Sequence, residues 1–132
     1  MSDSYKYVVR GAKMECSCGS HKRKINLPVS HGSYVNKKPM MNEEDNKVDK
    51  NISYFGICDS PQNPNNETIY LVHEVNGSTI SGKKCCPQIF EKWDNTKENT
   101  KVEGKSALTT KSQLICAYEG IITFVDDGQQ EE

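Results

Sequence analysis

Six cysteines are the residues of this 132-residue chain best equipped for chemistry. They stand as Cys16-Ser17-Cys18, a lone Cys58, an adjacent Cys85-Cys86 and a lone Cys116, which is four places with two of them doubled. Such a set makes either disulfides or a thiolate metal site, and the redox compartment decides between them. Met1 to Arg10 lacks the apolar run of a secretory leader, so folding in a reducing cytosol is expected, which favours thiolates. Four thiolates around one zinc form a closed structural site. In an extended strand, residues two apart share a face and adjacent residues point to opposite faces. Cys85 and Cys86 therefore do not both reach one ion without a tight turn. One cysteine from each doubled place, with Cys58 and Cys116, supplies four ligands and leaves two thiols over. Disulfides remain the competing reading, and His31 and His73 are candidate replacement ligands.

Other chemistries lack their motifs. A hydrolytic zinc site keeps an open position beside a general base, and neither H-E-x-x-H nor H-x-E with P-C-x-x-C is present. A cysteine nucleophile needs a partner histidine, and the three histidines form no such pattern. The chain is expected not to be an enzyme. Paired C-x-x-C loops, the mark of a rubredoxin-like iron site, are also missing. A stand-alone cysteine-thiolate redox domain with iron is the alternative reading. Seventeen basic against eighteen acidic residues leave a net charge of -1, and His21-Lys22-Arg23-Lys24 is the one basic cluster. Nucleic acid is not an expected partner. No run of about 18 apolar residues could cross a membrane as a helix.

The elements that must position the cysteines read as short and β-like. Only 34% of the chain is hydrophobic, 27% is charged and the mean hydropathy is -0.77. That is a thin core for a single domain spanning 1–132. Tyr5, Tyr7 and Val9 alternate with polar or smaller neighbours, and Gly11 follows as a bend. Ile25, Leu27 and Val29 suggest an edge strand, because Pro28 cannot donate to a ladder. Tyr34-Val35, Asn36-Lys37-Lys38-Pro39 and Met40-Met41 form a strand-turn-strand pattern. Ile69 to Val75, Asn76-Gly77 and Ser78-Thr79-Ile80 predict a hairpin with a type I′ turn. Gly120 separates Leu114-Tyr118 from a last strand over Ile121-Val125. A helical turn or two fits 87–93, polar loops fit 61–67 and 94–101, and the tail at 129–132 should fray. A weak repeat relates Val35-Asn36-Lys37-Lys38-Pro39-Met40-Met41-Asn42 to Val102-Glu103-Gly104-Lys105-Ser106-Ala107-Leu108-Thr109. Each copy is followed by a polar loop and an apolar segment ending in a lone cysteine.

Beyond these patterns, Tyr7-Val8-Val9-Arg10-Gly11-Ala12-Lys13-Met14-Glu15-Cys16-Ser17 resembles the opening of the PAAR-like family of bacterial proteins. Pro28-Val29-Ser30-His31-Gly32, Phe55-Gly56-Ile57-Cys58, Cys85-Cys86-Pro87, Trp93 and Leu114-Ile115-Cys116-Ala117-Tyr118-Glu119-Gly120 extend the resemblance in the same order. The stretch 66–84 matches most loosely, as an insert. The resemblance implies a small conical all-β domain of short hairpins, stabilised by metal, that caps the trimeric valine-glycine-repeat spike of a contractile injection system of the type VI secretion kind. It implies zinc held by Cys16, Cys58, Cys85 and Cys116, with Cys18 and Cys86 as extra thiols. It also implies assembly in the bacterial cytoplasm, effector proteins as further partners, and only transient contact with a membrane during puncture. The Pro-Ala-Ala-Arg signature itself is replaced by Pro39-Met40-Met41-Asn42 and Ser106-Ala107-Leu108-Thr109, so the histidine ligation of PAAR proteins proper is not expected. The docking base on the spike is expected to involve strand edges near Tyr7, Val9, Ile121 and Phe124.

Overall fold

The computed structural model describes residues 5–129, which form ten short strands and, among the described residues, no helix. The largest sheet has four strands. Strand β1 (Lys13–Cys16) lies between β2 (Arg23–Lys24) and β10 (Ile121–Phe124), with β9 (Gln113–Ile115) outside β10. All pairs in it are antiparallel, with Cys16 opposite Ile122 and Ile122 opposite Leu114. Alternation decides which face is buried: Met14, Cys16, Leu114 and Ile122 face the core, while Lys13, Glu15 and Gln113 face outward.

Three two-stranded ribbons complete the fold. They are β3 (Tyr34–Val35) with β4 (Lys38–Pro39), β5 (Thr68–Val72) with β6 (Thr79–Lys83), and β7 (Lys97–Val102) with β8 (Lys105–Ala107). The first and last close through equivalent two-residue turns. Asn36 and Lys37 have φ of 52° and 67°, and Glu103 and Gly104 have 53° and 82°, the left-handed pair a type I′ turn requires. These are the two copies of the sequence repeat.

A third copy, which the sequence does not betray, closes a ring with them. Val8 donates its N–H to Leu108 O (3.1 Å), Leu108 to Met41 O (3.0 Å) and Met41 to Val8 O (3.4 Å). Around this triangle the last residue of each segment bridges the first of the next: Val9 to Met40, Asn42 to Ala107 and Thr109 to Tyr7. One residue further on, Arg10 N–H bonds Pro39 O (3.0 Å), Glu43 N–H bonds Ser106 O (2.9 Å) and Thr110 N–H bonds Lys6 O (2.9 Å). Each segment then ends in the same turn, with Ala12 N–H on Val9 O, Asp45 N–H on Asn42 O and Ser112 N–H on Thr109 O at 2.9–3.1 Å. The three segments are thus related by an approximate threefold axis.

The ring divides the interior. Side chains of Val8, Met41 and Leu108, all fully buried, belong to the main core with Phe55, Trp93, Ile122, Cys16, Cys58 and Cys85. Their neighbours Val9, Met40 and Ala107 form a second, smaller cluster with Val102, Tyr7 and Val35. Successive side chains of an extended segment point to opposite faces, so the ring is a floor with the large core on one side.

Several expectations need correction. Segment 94–101 is mostly strand β7, not loop. Its polar pattern is that of a ribbon in which Val102 is the one buried residue of β7, facing a β8 that buries Ser106 and Ala107, which leaves no apolar period to read. Segment 87–93 has no helical turn; Trp93 is instead pinned by its ring N–H on Asp45 O (3.0 Å) and by stacking on Phe124 at 4.7 Å. Asn76-Gly77 lies in a longer loop joining Val72 to Thr79, where the His73 ring accepts the Val75 N–H and winds the turn. Ile25 and Leu27 are buried without forming an edge strand, and Val29 is exposed. Gln129 does not fray: its side-chain amide donates to Tyr7 O and it accepts from Asn36. The rest of the expected tail, 130–132, lies outside the described residues. Ile121 and Phe124 stand in the four-stranded sheet, so only Tyr7 and Val9 of the expected base residues belong to the floor segments.

Candidate metal centre

Four separate segments bring the cysteines to one region of the core. Cys16 ends β1 and turns through Ser17-Cys18-Gly19, with Gly19 N–H on Cys16 O (3.0 Å). Gly19 bridges Cys58, and Asp59 N–H reaches Cys18 O (3.0 Å), so the first two segments are tied directly. Cys58 N–H bonds Lys83 O (2.9 Å) and Cys85 N–H bonds Gly56 O (2.8 Å), which ties the third to the second. Cys116 opens the tight connection to β10, with its N–H on Gly120 O (2.9 Å), beside the Cys16–Ile122 pair. The main chain around these residues is thus cross-linked segment by segment.

The sulfurs confirm that placement. All six cysteines are unpaired thiols, so the disulfide reading is not what the chain adopts. Cys16, Cys58, Cys85 and Cys116 are buried, whereas Cys18 and Cys86 are half-buried. Among the first four, every pair lies within electrostatic reach of each other. Cys18 reaches Cys16 and Cys58, and its Sγ approaches Glu119 O at 4.0 Å. Cys86 points elsewhere, its Sγ on Asn63 Oδ1 at 3.2 Å. Adjacent residues in extended chain diverge, so Cys85 is the member of its pair that faces the others.

Burial pushes the Cys16 thiol up to about 11; the Cys18 N–H pulls it down, and Cys116, Cys18 and Cys58 raise it further. Burial likewise drives Cys85 up to about 12, against the Phe55 N–H and with help from Cys58, Cys16 and Cys116. Cys58 is raised by burial, lowered by the Ser60 N–H and raised again by Cys18, Cys116 and Asp59. Three of the sulfurs therefore carry a backbone N–H donor aimed at them. Such donors stabilise a thiolate and orient it as a ligand.

Glycine shapes the region. A Cβ added at Gly120 would lie 2.5 Å from Cys16 Sγ, so only glycine leaves room there for that sulfur beside the Cys116 turn.

These donors suit zinc in type, number and burial, and zinc bound by four of them would cross-link four chain segments. Among the described residues, however, no group of three or more His, Cys, Asp or Glu side chains is drawn in closely enough to hold an ion. The thiols share a region without closing on a point.

The histidines stand apart from the sulfurs. His31 is held between Asp45, at 2.9 Å, and Glu103. The His73 ring caps its own turn. Neither replaces a cysteine. The Asp45–His31–Glu103 group was not legible in advance, because its three members come from loops that only the threefold floor brings together.

A family profile described as "Domain of unknown function (DUF4280)" matches residues 8–129. No curated protein and no solved structure gives a significant match. The profile spans well over half of the sequence, so the chain belongs to this family.

Proposed function

We propose that this member of the DUF4280 family is a structural cap for a trimeric partner, the tip of the valine-glycine-repeat spike of a bacterial contractile injection system. The observation that carries the reading is the ring of Val8, Met41 and Leu108, with its three bridges and three matching turns. One asymmetric chain that meets a threefold partner on its axis must offer similar backbone to three identical neighbours. Three pseudo-equivalent segments are the economical way to do so. The resemblance to PAAR-like sequences supplies the identity of the trimer, and Pro39-Met40-Met41-Asn42 and Ser106-Ala107-Leu108-Thr109, which stand where the family signature would, both belong to the ring.

Zinc on Cys16, Cys58, Cys85 and Cys116 is the second part of the proposal. It would cross-link four segments of a chain that is only 34% hydrophobic: structural zinc contributes roughly 10–16 kcal/mol in small peptides, against about 5–15 kcal/mol for the whole stability of a domain. In this reading the chain assembles on the spike in the bacterial cytoplasm, leaves with it and delivers effectors. It touches a membrane only in passing and catalyses nothing.

The test is co-purification of the full chain with the trimeric spike of its own bacterium, with metal measured on the same complex. Retention with zinc at one equivalent per chain is the expected result. Absence of binding, with iron and its visible absorption in the isolated chain, would favour the redox alternative.

A further inference from the structure

The pseudo-threefold floor creates related grooves where the turn of one segment meets the ribbon preceding the next, and two of them differ sharply in charge. Between the second and third segments the groove is balanced. Glu43 and Glu44 of the turn meet Lys92 at 3.6 Å and Lys105 at 3.3 Å. Between the first and second segments, the positions equivalent to Glu43 and Glu44 are Arg10 and Gly11. The matching backbone bonds Arg10 N–H to Pro39 O and Glu43 N–H to Ser106 O fix that correspondence.

A cavity of about 390 Å³ opens at this first groove, lined by Arg10, Lys13, Lys24, Lys37 and Lys38 with, among the described residues, Asp126 as the single carboxylate. Asp126 Oδ1 already accepts the Lys13 and Gly128 N–H groups, at 2.9 and 3.1 Å, so much of its charge is spent on backbone. Lys38 donates to Gly128 O at 3.2 Å. Arg10, Lys13, Lys24 and Lys37 make no ion pair among the described residues. Cations from four places in the chain thus converge in a protein whose net charge is only -1.

We propose that this cavity binds a phosphate group. Arg10, Lys13, Lys24 and Lys37, with no ion pair among the described residues, repel one another, and nothing in packing requires all of them here. Among the described residues one carboxylate faces these four cations. A phosphate offers two negative charges and several acceptor oxygens, which suit a guanidinium fork beside several ammonium groups. The group can come from a free phosphate compound or from the head group of an anionic lipid. The site shares no lining residue with the thiols.

The experiment titrates the full chain with inorganic pyrophosphate by calorimetry at constant ionic strength, and with phosphatidic acid vesicles against phosphatidylcholine vesicles by co-sedimentation. Saturable binding at one site is expected. The pair Arg10→Gln and Lys37→Asn should weaken it at least about tenfold, because both side chains are exposed and Asn tolerates the left-handed turn position. Lys105→Ala, in the balanced groove, should leave it unchanged. Pyrophosphate binding without vesicle binding identifies a free phosphate compound. Vesicle binding that pyrophosphate displaces identifies a lipid head group. Failure of both probes to bind, or equal loss in the Lys105→Ala protein, overturns the proposal.

Discussion

Leu108 donates its backbone N–H to the carbonyl of Met41 at 3.0 Å, and through Val8 that bond closes on itself as a three-membered ring. The residues involved are remote in sequence, so the ring fixes the relative placement of three chain segments. The main core that rests on it includes the thiols of Cys16, Cys58 and Cys85.

The ring should be costly to disturb. Leu108 and Met41 are fully buried, and truncation to alanine at such sites costs about 2–5 kcal/mol. Urea unfolding of Leu108→Ala is expected to show a loss in that range. Ile115→Ala, on the exposed outer face of β9, should stay within about 0.5 kcal/mol.

The thiols should separate into classes under mutation. Cys58→Ser and Cys116→Ser are expected to abolish stoichiometric zinc and to lower the melting temperature of the zinc-loaded protein far more than Cys86→Ala, whose sulfur faces Asn63. Equal effects from all three would remove the metal assignment. Zinc loading should also release protons, because the raised thiols of Cys16 and Cys85 are protonated near neutral pH before binding. A titration in two buffers of different ionisation heat measures that release.

Gly120 offers a finer probe of the same site. Gly120→Ala places a methyl against Cys16 Sγ, so zinc stoichiometry or affinity should fall. Gly104→Ala is the control. It meets no atom within 4 Å but sits at φ +82°, so it should cost about 1 kcal/mol of stability and leave zinc untouched.

His31 should make stability fall as pH rises. Burial is the largest influence and lowers its pKa, but the bonds and charges of Glu103 and Asp45 outweigh it and hold the value above normal. A raised folded pKa means that stabilisation is complete below the unfolded value of about 6.5 and is lost as pH climbs through the folded one. Asp45, raised chiefly by burial and lowered by the Asn42 N–H and His31, works in the same direction at lower pH. Denaturant unfolding at pH 5.5 and 8.5 should show a loss on the order of 1 kcal/mol, and His31→Asn should flatten it.

The sequence was informative where a pattern served one local purpose. The expected redox compartment favoured thiols over disulfides, and the cysteines are unpaired; the two hairpin copies at Val35 and Val102 aligned in the register that the ring later revealed. The third copy at Tyr7–Ala12 stayed hidden because no type I′ turn of its own precedes it in the described chain. Strand β7 was missed because all of it but Val102 is exposed or half-buried, so it needs no apolar period. The basic cavity was missed because its cations come from Arg10, Lys13, Lys24 and Lys37, which only the fold brings together. Long-range convergence leaves no local trace, and most of the chemistry here depends on it.

Native mass measurement of the full chain mixed with the trimeric spike tests the threefold account most directly. A complex of one chain per trimer is the expected species, since three pseudo-equivalent segments would satisfy three identical subunits at once. Three chains per trimer, or no complex at any concentration, would contradict it.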